Sequence, residues 1–300
     1  MLASQGCDLV CIAAPSDNHA EMALAALDAG TPVLCEKPTA MNAEEARAMR
    51  DRAGELDRVA LIVHKLRFNP SHIKLAELVR SGANGEVRHA PISNMGSVWA
   101  NPAGRPKGLL VVACYAWWGA PRRQLMASVR SPSLVVCRGE FGGRRGQTLR
   151  RRSGRSEDWE PWGAAADDFV QMSLCRELVA QDVMMISAVA RHGLDNLNRS
   201  FGSERTQILD NSDEALLLER GSGDFEDLSE PDPNSGLSGM QGVWNFSSVG
   251  LMRELTAAIL EGHEVRAGDT FEDAYRNQLV LDAVLASNHY HRWVDLNSLD

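Results

Sequence analysis

The segment whose residue types could carry chemistry is Glu36-Lys37-Pro38, which directly follows the apolar run Val33 to Cys35. Ligands of open α/β sheets bind outside the carboxyl ends of the strands. A lysine held there can polarise a hydroxyl or carbonyl and relay a proton during hydride transfer, with Glu36 keeping the ammonium in place. In isolation such a tripeptide is more often a surface turn, so its weight depends on the surrounding elements. Two other polar residues read either way. His19 suits the first turn of a helix, and Asn69 suits a turn before Pro70. The remaining histidines, among them His64, His192, His263, His289 and His291, lack the spacing beside a carboxylate that a metal site requires, and no metal is assigned. The six cysteines at 7, 11, 35, 114, 137 and 175 form no CxxC pair, which argues against a zinc site or a disulfide framework and fits a reduced compartment.

The elements that would position these groups alternate. Asp8-Leu-Val-Cys-Ile-Ala-Ala14 is a continuous apolar run bounded by Pro15, as expected of a strand buried on both faces of a parallel sheet. Met22, Ala25, Ala26 and Ala29 recur at helical spacing from His19 to Ala29, with Gly30 placed to end the helix. Val33 to Cys35 is the next buried strand. Asn42 and Glu45 form a capping box for a helix to about Ala53, and Val59 to Val63 is a third strand. This is the repeating unit of a doubly wound sheet. A helix from Ser71 to Arg80 ends at Gly82, and Glu86 begins a second domain. From Asp167 the period falls to near two in Phe169 to Leu174, Val183 to Val189, Thr206 to Asp210 and Glu214 to Glu219, which predicts an antiparallel sheet. Ser222 to Gly242 reads as a loop. Helices over Ser248 to Glu261 and from a Thr270/Asp273 cap to about Ser287 follow it.

The run from Asp8 through Pro15, then His19-Ala-Glu, Ala26-Leu-Asp-Ala-Gly30 and Val33-Leu-Cys-Glu-Lys-Pro38 closely resembles the nicotinamide-dependent Gfo/Idh/MocA oxidoreductases. The resemblance continues through Arg67-Phe-Asn-Pro70 and Gly82 to Val87 and resumes from Asp167 to Leu296. It implies that Ala14, Pro15, Ser16 and His19 line a nicotinamide cofactor, NAD or NADP, together with Glu36, Lys37 and Pro38. It makes Lys37 catalytic and brings Arg67 and Asn69 to the cofactor and substrate pocket. The implied reaction is hydride transfer to or from a sugar, polyol or related hydroxyl or carbonyl compound. Two family features are missing. No GxGxxG stands in front of the first strand, where a helix N-terminus normally holds the pyrophosphate, so the chain reads as truncated and cofactor binding as weakened or lost. The Gly-Gly run and His-x-x-Asp signature expected about ninety residues after Lys37 are replaced by a basic stretch.

That stretch, Gly108 to Ser156, holds ten of the 31 basic residues, all arginine, and one of the 40 acidic residues, Glu140. The net charge of −9 is therefore a sum of +9 here and −18 elsewhere. It reads as a nucleic-acid arm, as a solvated loop, or as an out-of-frame translation. The last is favoured, because no helical or strand period runs from Pro121 to Gly146 and a one-nucleotide shift over Val111 to Arg138 permits Gly-Gly, an amphipathic helix and His-x-x-Asp.

At 300 residues, 44% hydrophobic and 24% charged, the chain can bury a substantial core, which excludes a disordered or fibrous protein. With no basic segment ahead of an apolar run at its start and no apolar span of membrane length, it is expected to lack a leader and to be cytoplasmic. The expected fold is α/β: a partial doubly wound Rossmann-like parallel sheet over 1–66, then an α+β domain with an open antiparallel sheet over 67–300. Within the second, 108–163 is anomalous and 270–296 packs back on the first. The expected partners are a sugar or polyol and further copies of the chain, with no nucleic acid and no membrane. The competing expectation is a catalytically silent remnant or binding subunit that associates through its sheet domain.

Overall fold

The computed structural model describes residues 6–97, 100, 135–140, 148–151, 159–162, 169–176, 180–193, 196–234, 236, 243–263, 265 and 269–299. Three short strands, β1 (Val10–Ile12), β2 (Val33–Cys35) and β3 (Ala60–Ile62), form a parallel sheet in sequence order. The helices α1 (His19–Asp28) and α2 (Ala43–Glu55) are the crossovers. Successive strand residues point to opposite faces, and both faces are covered, which is why these strands read as unbroken apolar runs. Ile12, Val33, Cys35 and Ile62 pack with Ala23, Leu27, Ala46 and Met49 of the crossovers. Leu34 and Leu61 pack on the other side against Leu251 and Leu255 of α4 (Val243–Glu261).

The second sheet has ten strands and is mixed. From β14 (Phe225–Asp227) it runs through β13 (Ala215–Glu219), β12 (Thr206–Asp210) and β11 (Asn196–Gly202) to β4 (Val87–His89) and β10 (Ala180–Ser187). It continues to β9 (Phe169–Arg176), β6 (Val135–Glu140) and β15 (Val294–Asp295). The remaining strand, β5 (Ile92–Met95), pairs with β10 and β11. Antiparallel pairs dominate as expected, but β4 and β5 both run parallel to β10. Strands β7 (Thr148–Arg151) and β8 (Trp159–Trp162) form a separate hairpin pair.

Helix α5 (Phe271–Tyr290) joins the two sheets. Its Phe271, Ala274, Tyr275 and Leu279 enter the first core, while Val280, Ala283 and Val284 enter a second with Val170, Met172, Met184 and Ile186. Thr270 bridges to Leu61, and Ile62 donates its N–H to Asp269 O at 2.7 Å, so the start of α5 covers the edge of β3. Farther along the large sheet, Leu75 and Val79 of α3 (Pro70–Arg80) cover Leu209 and Leu216.

Several sequence expectations need correction. β6 lies within 121–146, which showed no strand period; its pairing with β9 over six residues supplies an order that the local pattern lacks. The segment 222–242 contains β14, held by β13, and the expected loop is to that extent a strand. Strands β4, β5 and β11 lie where the sequence shows no strand pattern, because their residues include Arg, His, Asn and Ser. The box at the start of α2 is half formed: Asn42 Oδ1 accepts from Glu45 N at 2.9 Å, but Glu45 accepts from Met41 N instead of Asn42. The Thr270/Asp273 box is complete. Of the stretch 108–163, all but β6, β7 and the backbone of β8 falls outside the described residues, including the segment 111–134 on which most of the shifted frame rests.

Candidate functional site

The parallel pairing of β1 and β2 brings their carboxyl ends side by side. The last bond of this ladder runs from Glu36 N to Ile12 O at 2.8 Å. Beyond it, Ala14 is half-buried and Pro15 exposed, and a single 3₁₀ turn over Ser16–Asn18 leads into α1 with Ser16 buried. On the neighbouring strand Glu36 and Lys37 are half-buried, while Pro38, after a cis Lys37–Pro38 bond, is buried with Thr39 and Ala40. Lys37 donates its backbone N–H to Glu36 Oε2 at 3.1 Å. Cys35 beneath them is buried, and desolvation, reinforced by the Glu36 charge, pushes its thiol up to about 12; it is a packing group, not a nucleophile.

Seven of the expected residues, Ala14, Pro15, Ser16, His19, Glu36, Lys37 and Pro38, thus gather at one edge of the sheet. His19 is the one whose setting differs from the expectation. Its ring is 1% exposed, with Nδ1 2.7 Å from Pro38 O and Nε2 2.9 Å from Ala14 O. Both polar atoms of the ring face main-chain carbonyls, which removes them from contact with a ligand.

Arg67 and Asn69 follow the third strand, on the turn Lys65–Phe68 and just after it. Arg67 is buried, with Nε 3.0 Å from Asp269 Oδ1 and a terminal nitrogen 3.8 Å from Asp273 Oδ2. His64 Nδ1 lies 3.6 Å from the same Asp269 oxygen. Burial pushes the Asp269 carboxyl above its ordinary value, and the Arg67 charge and His64 pull it back. Asn69 caps α3 by accepting from Ser71 N at 3.0 Å, and it donates to Glu214 Oε2 at 3.1 Å. Both side chains are therefore committed to protein partners, and any effect on a ligand passes through the position of the 65–69 turn.

The His64–Arg67–Asp269–Asp273 cluster was not found by sequence reasoning. Thr270/Asp273 was legible as a cap, but Asp269 lies 202 positions after Arg67, and no local pattern links them. Among the described residues no group of three or more His, Cys, Asp or Glu could hold a metal ion, and no helix is long and apolar enough to cross a membrane.

The arrangement can receive one end of a dinucleotide. The exposed Pro15 and half-buried Lys37 leave the strand ends open, and Ser16, His19 and Pro38 form a closed floor. These are the residues that could hold a nicotinamide ring beside a reacting hydroxyl. The described residues contain no glycine-rich strand-to-helix turn that would fit the pyrophosphate.

Residues 1–64 match the Gfo/Idh/MocA model, described as an oxidoreductase family with an NAD-binding Rossmann fold. D-glucoside 3-dehydrogenase of Escherichia coli is 41% identical over 80 residues, 27% of this chain and 23% of that protein. Inositol 2-dehydrogenase of Corynebacterium glutamicum is 36% identical over 87 residues, 29% of this chain and 26% of that protein. The chain thus aligns with about a quarter of the length of these curated relatives. In fold the likeness is wider. An oxidoreductase domain protein from Kribbella flavida superimposes with a TM-score of 0.80 at 24% identity, covering 98% of this chain and 82% of that one. Levoglucosan dehydrogenase complexed with NADH and levoglucosan gives a TM-score of 0.80 at 20% identity, covering 98% and 82%.

Proposed function

We propose, for a chain whose first 64 residues belong to the NAD-binding segment of the Gfo/Idh/MocA oxidoreductases, that it is a dehydrogenase of sugars, polyols or related hydroxyl compounds using NAD or NADP. The observation that supports this reading is the convergence of the Ala14–Ser16 and Glu36–Pro38 turns at the carboxyl ends of two paired parallel strands. The main chain of Ala14 and Pro15 and the Ser16 region would hold the nicotinamide end. When bound there, a nicotinamide would supply the hydride acceptor or donor. Lys37 Nζ, as the neutral amine, would take the proton of the substrate hydroxyl during oxidation and become the ammonium, which would return that proton during reduction. Glu36 and Pro38 fix the turn that carries Lys37, and Arg67 and Asn69 fix the neighbouring 65–69 turn at the edge of the substrate space. NAD(H) is the form to test first, since levoglucosan dehydrogenase and an inositol dehydrogenase homologue of Azotobacter vinelandii have been crystallised with NADH.

The outer face of the large sheet, with Gln171, Val183 and Phe201 exposed, supports association with a second copy. We propose a cytoplasmic location as well, which the six cysteines without a CxxC pair support.

The test is titration of the purified chain with NADH and NADPH, followed by turnover assays with levoglucosan, myo-inositol and D-glucosides. Saturable binding and turnover that falls at least about 100-fold in Lys37→Met are expected. Absence of binding at millimolar cofactor would refute the reading and leave a catalytically silent association module.

A further inference from the structure

We propose that His19 is the positioning residue that holds the Lys37 turn against the Ala14–Ser16 turn. The purpose assigned to this brace rests on the dehydrogenase reading above; its geometry does not.

The strands β1 and β2 are three residues each, a short ladder on which to hang two turns that must stay in register. Past the Glu36 N–H to Ile12 O bond the two turns leave the ladder. His19, the first residue of α1, fills the space between them and reaches Ala14 O with one nitrogen and Pro38 O with the other. Carbonyls only accept, so the ring donates to one of them when neutral and to both as the imidazolium. The ring is almost fully buried, so water does not compete for these bonds. One side chain thereby spans the main chain facing the cofactor space and the residue directly after Lys37. Its rigid, flat shape sets the separation of the two turns, and a flexible side chain of equal polarity would not. Misplacing a catalytic group by about 1 Å lowers a rate by about 100-fold.

Lysines stand at four positions, 37, 65, 74 and 107, so carbon-13 reductive methylation of the whole protein gives few dimethyl-lysine signals, and Lys37→Arg identifies that of Lys37. The signal is compared in wild type, His19→Ala and His19→Gln without cofactor. In His19→Ala the Lys37 signal is expected to move or broaden toward that of a mobile lysine while the other three stay in place. His19→Gln, which keeps one donor, should recover part of the wild-type position. In parallel, turnover of myo-inositol with NAD should fall about 100-fold in His19→Ala, with NADH affinity changed less than about tenfold.

A Lys37 signal in folded His19→Ala that coincides with wild type overturns the proposal. If circular dichroism shows that His19→Ala is unfolded, the same criterion applied to His19→Gln decides. A wild-type Lys37 signal indifferent to NADH refutes the dehydrogenase reading instead and leaves the brace to the cofactor-free comparison.

Discussion

Acidification should destabilise this protein through His72, a residue on the buried side of α3. Its Nε2 lies 2.6 Å from Asn211 Oδ1, and Asn211 Nδ2 donates to Asn196 O at 3.1 Å. That second bond orients the amide, so Asn211 presents an acceptor and His72 must carry its proton on Nε2. Nδ1 is buried without a partner. Full burial is the main cause that lowers the ring pKa; the Asn211 bond partly opposes it, the Arg67 charge adds to it, and together they bring the pKa from 6.5 down to about 4. The unfolded state then binds more protons than the native state between these two values, and stability falls as pH drops through that window. The shift limits the total loss to roughly 3 kcal/mol, of which about 2 kcal/mol is spent between pH 7 and pH 5. His72→Gln keeps a donor for Asn211 and removes the titration. Urea unfolding at about pH 7 and pH 5 should show wild type losing about 2 kcal/mol more than His72→Gln between the two conditions. Equal losses in the two proteins would refute the assignment of a neutral, buried native ring.

Other perturbations report on how the site is supported. A Cβ at Gly250 would lie 2.7 Å from Phe68 Cβ, so Gly250→Val should push α4 off the Lys65–Phe68 turn and lower stability by about 1–3 kcal/mol in a denaturant melt. Asp282 of α5 accepts from Ala43 N at 2.7 Å and from Gln278 at 2.9 Å, closing the N-terminus of α2. Asp282→Ala should cost about 1–2 kcal/mol, and amide exchange should speed up in the first turn of α2 before it does elsewhere. Truncating Asp269 removes the carboxylate 3.0 Å from Nε of the buried Arg67 guanidinium, so Asp269→Ala should lower the melting midpoint more than Asp282→Ala does. Resequencing the gene across codons 108–163 should reveal a one-nucleotide shift, and a read that confirms the present frame in expressed, folded protein would dismiss the out-of-frame account.

Much of the first sheet was legible because its signals are local. An apolar run of three to seven residues, a cap, and a glycine at positive φ such as Gly30 state their structure within one turn of chain. The alternation in β12 and β13 was legible for the same reason, since every second residue is buried. β4, β5 and β11 were not, because polar residues such as Asn198 and Ser200 are buried there beneath other elements. β6 was missed because its pairing with β9 is a contact between distant segments.

At the candidate site the division is similar. Local patterns in the chain marked which residues stand at the strand ends and offered Lys37 as a candidate for proton transfer. The family resemblance, not spacing, suggested that His19, Arg67 and Asn69 belong near the site; read alone, His19 is a first-turn helix residue and Asn69 a turn residue before Pro70. What those three side chains touch follows from packing alone. His19 reaches across to Pro38 O, Arg67 meets Asp269 and Asp273 of a distant helix start, and Asn69 caps α3 while reaching Glu214. Spacing along the chain fixes periodicity and local hydrogen bonds. The partner of a buried polar atom is chosen by whichever segment the packed core brings within about 3 Å, and for Arg67 and Asn69 that segment lies well over a hundred residues away.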